Sequence, residues 1–162
     1  MHKVTITRKM NHDVADVWSL LDEFGAIARY NPGVESAEIL SPEATGMGAQ
    51  RICHFYDGTS LKETIVRYEP GQGYSFDLSD FELPLKQATS HFDLTRISDG
   101  RSRLRVTLEF IPKFGPLGWV MGKLMMRPML LRALGDLTKG VDDHMRTGAI
   151  VGKGGALLAP AA

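Results

Sequence analysis

The stretch that decides the fold runs from Phe114 to Met145 and begins FGPLGWVMGKLMMRPMLLRAL (residues 114–134). Its apolar residues recur at steps of three and four, a spacing that predicts one long helix with an apolar stripe along one side. The stripe consists of Leu117, Val120, Met121, Leu124, Met125, Leu131, Leu134, Leu137, Val141 and Met145. Because an apolar stripe is buried against another element, we expect this helix to cover a sheet formed by the preceding residues.

The residues before this helix predict an antiparallel meander, because short apolar runs alternate with turn signals. Asp57-Gly58 and Asp99-Gly100 are typical of tight hairpins, whose turns need the positive φ angles that glycine adopts. The expected strands cover residues 34–40, 49–56, 60–69, 74–79, 87–97 and 103–111. Another strand is expected near residues 4–10, followed by two short helices, the first capped by Asn11. Pro128 should kink or divide the long helix.

Composition predicts one globular domain. The chain has 162 residues, with 19 Lys and Arg against 19 Asp and Glu, and a formal net charge of zero disfavours nucleic acid as a partner. Cys53 is the single cysteine, which excludes an internal disulfide and favours a reducing, cytoplasmic location. We expect a domain over residues 1–147, a flexible or loosely docked tail over residues 148–162, and a monomer or homodimer.

The order of these elements resembles the SRPBCC superfamily of START and birch-pollen-allergen-like proteins, in its polyketide cyclase/dehydrase-like branch. The similarity rests on WSLLDEF (18–24) followed by YNPGV (30–34), on GMGAQR (46–51), and on Asp57-Gly58 before Leu61-Lys62-Glu63. It implies an α+β helix-grip fold, in which a curved antiparallel sheet of about seven strands wraps around the long C-terminal helix. It also implies a mainly apolar cavity between sheet and helix that holds a hydrophobic small molecule, and we expect no cofactor.

Glu63 is the candidate catalytic residue. It faces the cavity if its strand neighbours Leu61 and Ile65 do, whereas the reversed strand would place Glu63 in solvent. The resemblance implies a polar group at this position of the cavity. Arg51 can pair with Glu63 across the hairpin, and the pair either holds a ligand oxygen or is a surface ion pair of little energetic value, which we favour.

The other candidate ligand contacts are residues expected to line the cavity, although core packing is the alternative for the aromatic residues and methionines. The full predicted set is Arg51, Phe55, Glu63, Tyr74, Phe76, Phe92, Leu108, Trp119, Leu124, Met125 and Leu131. His91 should lie outside, the face of His54 is undecided, and Cys53 should be an inert buried thiol. We expect no metal site, because neighbours such as Asp143 and His144 project from different sides of a helix.

Three functions fit this pattern. The first is binding or transport of a hydrophobic small molecule, which we favour because Glu63 is the one titratable group placed in the cavity. The second is a polyketide cyclase or dehydratase that uses acid and base groups in the same cavity. The third is lipid or quinone handling at a membrane surface, suggested by six basic against three acidic residues from Lys113 to Arg146. A solvated outer face is the simpler explanation of those basic residues.

Overall fold

The computed structural model describes residues 1–158, and its main element is a seven-stranded antiparallel sheet. The strands are β1 (His2–Met10), β2 (Val34–Ile39), β3 (Gln50–Phe55), β4 (Ser60–Glu69), β5 (Gly73–Ser79), β6 (Leu85–Ser98) and β7 (Arg101–Pro112). Their order is β1-β7-β6-β5-β4-β3-β2, so the first strand closes the meander by pairing with the last. With the helices below, this sheet confirms the predicted helix-grip fold.

Two short helices follow β1. Helix α1 covers Val14–Asp22 and buries Val17, Leu20 and Leu21, which share one side at steps of three and four. A 3₁₀ helix covers Phe24–Arg29. The cap of α1 is Asp13 and not the expected Asn11, because the turn after β1 delays the start of the helix.

The long helix is continuous through Pro128, so the proline does not divide it, but a π turn interrupts the regular α-helix just before the proline. It consists of α2 (Gly115–Met121), a π turn (Gly122–Met126) and α3 (Arg127–Thr147). In the π turn the Arg127 N–H donates to the Gly122 carbonyl, five residues earlier. Proline lacks an N–H and crowds the carbonyl four residues before it, and a wider turn relieves both problems.

The apolar stripe faces the sheet over only half of its length. In the inner segment (residues 133–147), Leu134, Leu137 and Val141 are buried, as the pattern predicts. In the outer segment (residues 114–132), most of the large apolar side chains are exposed, which contradicts the prediction, whereas Met126 is buried and Leu130 and Leu131 are half-buried. The exposed residues are Phe114, Leu117, Trp119, Val120, Met121, Leu124, Met125 and Met129.

Glycines explain this reversal. The side of the outer segment that packs against the rest of the domain, which we call the body, consists of Gly118, Gly122 and Met126. A Cβ atom at Gly118 would lie 1.5 Å from the Lys113 carbonyl oxygen, and one at Gly122 would lie 2.8 Å from the Pro112 ring. Only glycine permits so close an approach, and the larger side chains therefore point away from the body.

The described part of the tail forms a small hairpin, in which β8 (Ile150–Val151) pairs with β9 (Leu157–Leu158). Val151 is buried, so this hairpin is packed on the domain. The division into a domain over residues 1–147 and a tail stays a prediction, and its last four residues lie outside the described ones. No helix within residues 1–158 combines the length and the apolar character needed to cross a membrane.

Candidate ligand-binding site

A buried ion pair lies on the sheet where β3 meets β4. Arg51 is directly opposite Glu63 in the strand register, and its Nε donates to Glu63 Oε2. Arg51 is 0% exposed and Glu63 is 6% exposed. Of the two orientations that the sequence left open for Glu63, the structure has the inward one, whereas our preference for a surface ion pair is wrong. Alternation along the strands could place both residues on one face, but it could not show that this face is covered.

The surroundings of Arg51 keep it charged. Its Nη1 donates to the carbonyl oxygen of Phe24, and its guanidinium lies 3.8 Å from the centre of the Phe24 ring. Burial is the largest single effect and by itself lowers the pKa of Arg51, but the combined charge interactions, of which that with the Glu63 carboxylate is the largest, outweigh it, and the pKa is raised. The centre is thus a zwitterionic pair stacked on an aromatic ring.

Cys53 extends this pair. Its Sγ lies 3.7 Å from Glu63 Oε2, and burial, followed by the charge of Glu63, raises the pKa of Cys53 to about 12. The thiol is therefore protonated at neutral pH, in agreement with the expectation of a buried, unreactive cysteine.

Two buried tyrosines complete what we call the polar centre, formed by Tyr30, Arg51, Cys53, Glu63 and Tyr74. The Tyr74 hydroxyl donates to the Leu21 carbonyl over 3.2 Å. The Tyr30 hydroxyl and Arg51 Nη2 are buried without a hydrogen-bond partner. Burial is the main cause that raises the pKa of both tyrosines, so both are protonated at neutral pH.

Aromatic rings surround the polar centre. Phe24, Tyr74, Phe76 and Phe92 pack on one another with ring centres 5.4–6.0 Å apart, mostly edge to face. Leu108 belongs to the same buried cluster. The structure therefore brings together six of the predicted contacts, namely Arg51, Glu63, Tyr74, Phe76, Phe92 and Leu108.

The other predicted contacts lie elsewhere. Phe55 lines an outer groove of about 540 Å³, between the turn before β2, the inner segment and the tail hairpin. Trp119, Leu124 and Met125 are exposed, because Gly118 and Gly122 take the place nearest the rest of the domain, and these three residues do not reach the polar centre. Leu131 is half-buried and packs against the hydrophobic core.

Sequence reasoning missed Phe24 and Tyr30 as members of the site. Both lie in the segment between α1 and β2, at the two ends of the 3₁₀ helix. The signal was present, since Tyr30 precedes the turn Asn31-Pro32-Gly33, which fixes the direction in which the chain returns to the sheet.

The outward prediction for His91 is confirmed. His91 Nδ1 lies 2.7 Å from Ser75 Oγ, and Nε2 lies 3.6 Å from Glu109, on the face of the sheet opposite Arg51. His54 also lies on that opposite face, beside Glu38. Among residues 1–158, no three His, Cys, Asp or Glu side chains are grouped so that they could share a metal ion.

A sheet that grips a long C-terminal helix defines a helix-grip domain, and in this one a polar centre lies inside a shell of aromatic rings. The family model described as "Polyketide cyclase / dehydrase and lipid transport" matches residues 1–143, and the chain belongs to this family. The resemblance stated from the sequence is thereby confirmed.

Solved structures agree on the fold. The protein XoxI from Bacillus cereus has a TM-score of 0.76 at 14% identity, covering 91% of this chain and 97% of that one. Ginseng major latex-like protein 151 from Panax ginseng has a TM-score of 0.69 at 13% identity, covering 88% and 96%. Ara h 8.0201 has a TM-score of 0.68 at 17% identity, covering 90% and 98%. The comparison with curated proteins gave no match.

Proposed function

We propose that the protein binds a hydrophobic small molecule and holds an oxygen of that molecule at the polar centre. The observation that carries this proposal is the pair of buried groups without a partner, Arg51 Nη2 and the Tyr30 hydroxyl. A buried donor without an acceptor costs about 1–3 kcal/mol, and a ligand oxygen would remove that cost. The family description, which names polyketides and lipid transport, supports a mainly apolar ligand.

The charges of the centre favour a neutral oxygen, such as that of a ketone. Arg51 is already paired with Glu63, so a second carboxylate would be repelled by the first. A carbonyl oxygen accepts hydrogen bonds without adding charge, and the aromatic shell offers ring faces to the rest of the ligand. This chemistry is compatible with an aromatic or polyketide-type molecule.

Acid–base catalysis of the cyclase or dehydratase type is the second candidate, favoured by the convergence of five titratable side chains. However, Tyr30, Cys53 and Tyr74 have raised pKa values and are weak acids, unable to act as bases at neutral pH. Glu63 is left as the candidate base, and Arg51 already occupies its carboxylate. We therefore place binding before catalysis.

Native mass spectrometry of protein purified from its own host tests the proposal first, and a co-purified apolar molecule is the expected result. The second test compares 2-acetylnaphthalene with 2-ethylnaphthalene by equilibrium dialysis, in the wild type and in Tyr30→Phe. The substitution should weaken the ketone at least about fivefold and leave the ethyl compound unchanged, because only the ketone accepts a hydrogen bond. It should change the stability of the ligand-free protein by less than about 1 kcal/mol, since the Tyr30 hydroxyl lies beside Tyr74 and Arg51 but forms no hydrogen bond of good geometry with them.

Two results would contradict binding at the polar centre. One is that neither naphthalene binds and nothing co-purifies. The other is that Tyr30→Phe changes both affinities equally. A co-purified compound that loses the mass of one water during incubation, but only when Glu63 is present and not in Glu63→Gln, would move the second candidate ahead of the first.

A further inference from the structure

We propose that the outer segment, residues 114–132, docks the protein on a lipid bilayer with anionic headgroups. The inference does not depend on the ligand site. It starts from a helical surface rich in large apolar side chains that the rest of the described chain leaves uncovered, and from the sign of the charges around it.

The exposed surface extends around most of the helix. Side chains four residues apart lie on the same side of a helix, so the side chains of the segment form four rows. One row is buried and consists of Gly118, Gly122 and Met126. The exposed rows are Leu117, Met121, Met125 and Met129, then Val120, Leu124 and Pro128, then Trp119, Lys123 and Arg127. Leu117, Leu124 and Met125 are 67%, 68% and 66% exposed.

This exposure is built into the backbone. Rotating the helix to bury its leucines would bring side chains to the positions of Gly118 and Gly122, where even a Cβ atom meets the Lys113 carbonyl or the Pro112 ring. The residue before the segment is also held in place next to the sheet, since the Lys113 N–H donates to the carbonyl of Pro84, just before β6, over 2.9 Å. Monomeric soluble proteins rarely keep a large contiguous apolar patch without a partner for it.

The charges identify the partner. Residues 111–135 contain Lys113, Lys123, Arg127 and Arg132 and no acidic residue. None of these four forms an ion pair with a carboxylate in residues 1–158. Since the whole chain has 19 basic and 19 acidic residues, the chain outside residues 111–135 has 15 basic and 19 acidic residues and is net negative.

A second copy of this chain fits the segment poorly, because a symmetric contact would bring four more positive charges against the first four. An anionic bilayer matches both features of the surface, because the apolar side chains can be buried among the acyl chains and the basic side chains can pair with the anionic headgroups. Lys123 and Arg127 share a row with Trp119, and Lys123 Nζ lies 5.5 Å from the Trp119 ring centre. Tryptophan and long basic side chains both favour the headgroup region.

Co-sedimentation of the full chain with vesicles tests the proposal. Vesicles of phosphatidylcholine alone are compared with vesicles in which about a third of the lipid is phosphatidylglycerol. The wild type should sediment with the anionic vesicles at low salt, sediment much less with the neutral ones, and be released as salt is added. In a Trp18→Phe background, the emission of Trp119 should shift to the blue on binding.

Two double variants test the exposed apolar side chains and the cations of the outer segment. Leu124→Asp with Met125→Asp and, independently, Lys123→Glu with Arg127→Glu should each weaken binding about tenfold or more. The control is Met47→Asp, because Met47 is 65% exposed but lies in the connection between β2 and β3. It should bind like the wild type, and circular dichroism should show that all variants are folded.

The proposal is overturned if the wild type does not sediment with anionic vesicles at low salt, or if it sediments equally well with neutral vesicles. It is overturned as well if Met47→Asp loses as much binding as the double variants. It is also overturned if vesicles do not bind and the wild type is instead a dimer that Leu124→Asp with Met125→Asp dissociates, because the segment would then be a self-association surface.

Discussion

The two segments of the long helix carry the same apolar spacing and use it in opposite ways. The inner segment buries Leu134, Leu137 and Val141, whereas the outer segment exposes leucines at the same spacing and buries Gly118 and Gly122. The difference is which residues form the row nearest the body. Apolar periodicity therefore shows that a helix has an apolar side, and the glycines show which side is packed.

The largest expected effect separates two leucines that the sequence pattern treats alike. Leu137→Ala should lower the free energy of unfolding by about 2–5 kcal/mol, because Leu137 is buried and its removal leaves a cavity. Leu124→Ala should change it by less than about 0.5 kcal/mol, since Leu124 is already in solvent. Urea unfolding of both variants measures the difference, and equal losses would show that the outer segment is packed as well.

A pair of glycines in the inner segment gives the next effect. A Cβ atom at Gly140 would lie 1.8 Å from the Tyr30 carbonyl oxygen, so Gly140→Ala should cost about 1–3 kcal/mol of stability. At Gly135 a Cβ atom meets nothing within 4 Å, and Gly135→Ala should raise stability by about 0.4–1 kcal/mol. Thermal unfolding of the two variants in parallel checks the signs, and a Gly140→Ala protein as stable as the wild type would contradict the close contact with Tyr30.

Much of the fold was predictable because it depends on local signals. Alternation in β7, with Leu104, Val106, Leu108 and Phe110 buried, and turn pairs such as Asp57-Gly58 predicted the strands to within two residues at each end. The direct pairing of Arg51 with Glu63 was also predictable, since it follows from the register of one hairpin.

The environment of the site was not predictable in the same way. Whether Arg51 and Glu63 face solvent or a core depends on Phe24 and Tyr30, which are distant in sequence and are positioned by the 3₁₀ helix and by the contact with Gly140. The outward orientation of Leu124 depends on the fit of two glycines against Pro112 and Lys113, and this fit requires tertiary coordinates.

Gly118→Ala should produce a smaller and more local effect. A methyl group at this position would overlap the Lys113 carbonyl, so α2 should detach from the end of β7. Because little apolar surface of the outer segment is buried, the cost to global stability should be below about 1 kcal/mol. Hydrogen exchange should become faster in residues 115–131 and remain unchanged in residues 134–147, and uniform acceleration would show that the two segments unfold together.

The smallest effect concerns charges, which are paired in the inner segment and unpaired in the outer one. Asp143 accepts hydrogen bonds from Lys139 (2.7 Å) and Arg146 (2.9 Å), and the bond from Lys139 is the main cause that lowers the pKa of Asp143. A lowered pKa in the folded state adds stability that is fully present above the unfolded value, about 3.9, and is lost as the pH falls through the folded value.

Asp143→Asn should therefore cost about 0.5 kcal/mol near neutral pH, where Asp143 is ionised in both states. The wild type and the variant should converge as the pH falls through the lowered pKa that Asp143 has in the folded state, because the carboxyl group is then neutral in both states and the ion pairs no longer exist. Urea unfolding of both proteins across this pH range measures the difference. If the gap stayed constant or widened toward acid pH, the contribution of Asp143 would lie in the packing of its side chain and not in its charge.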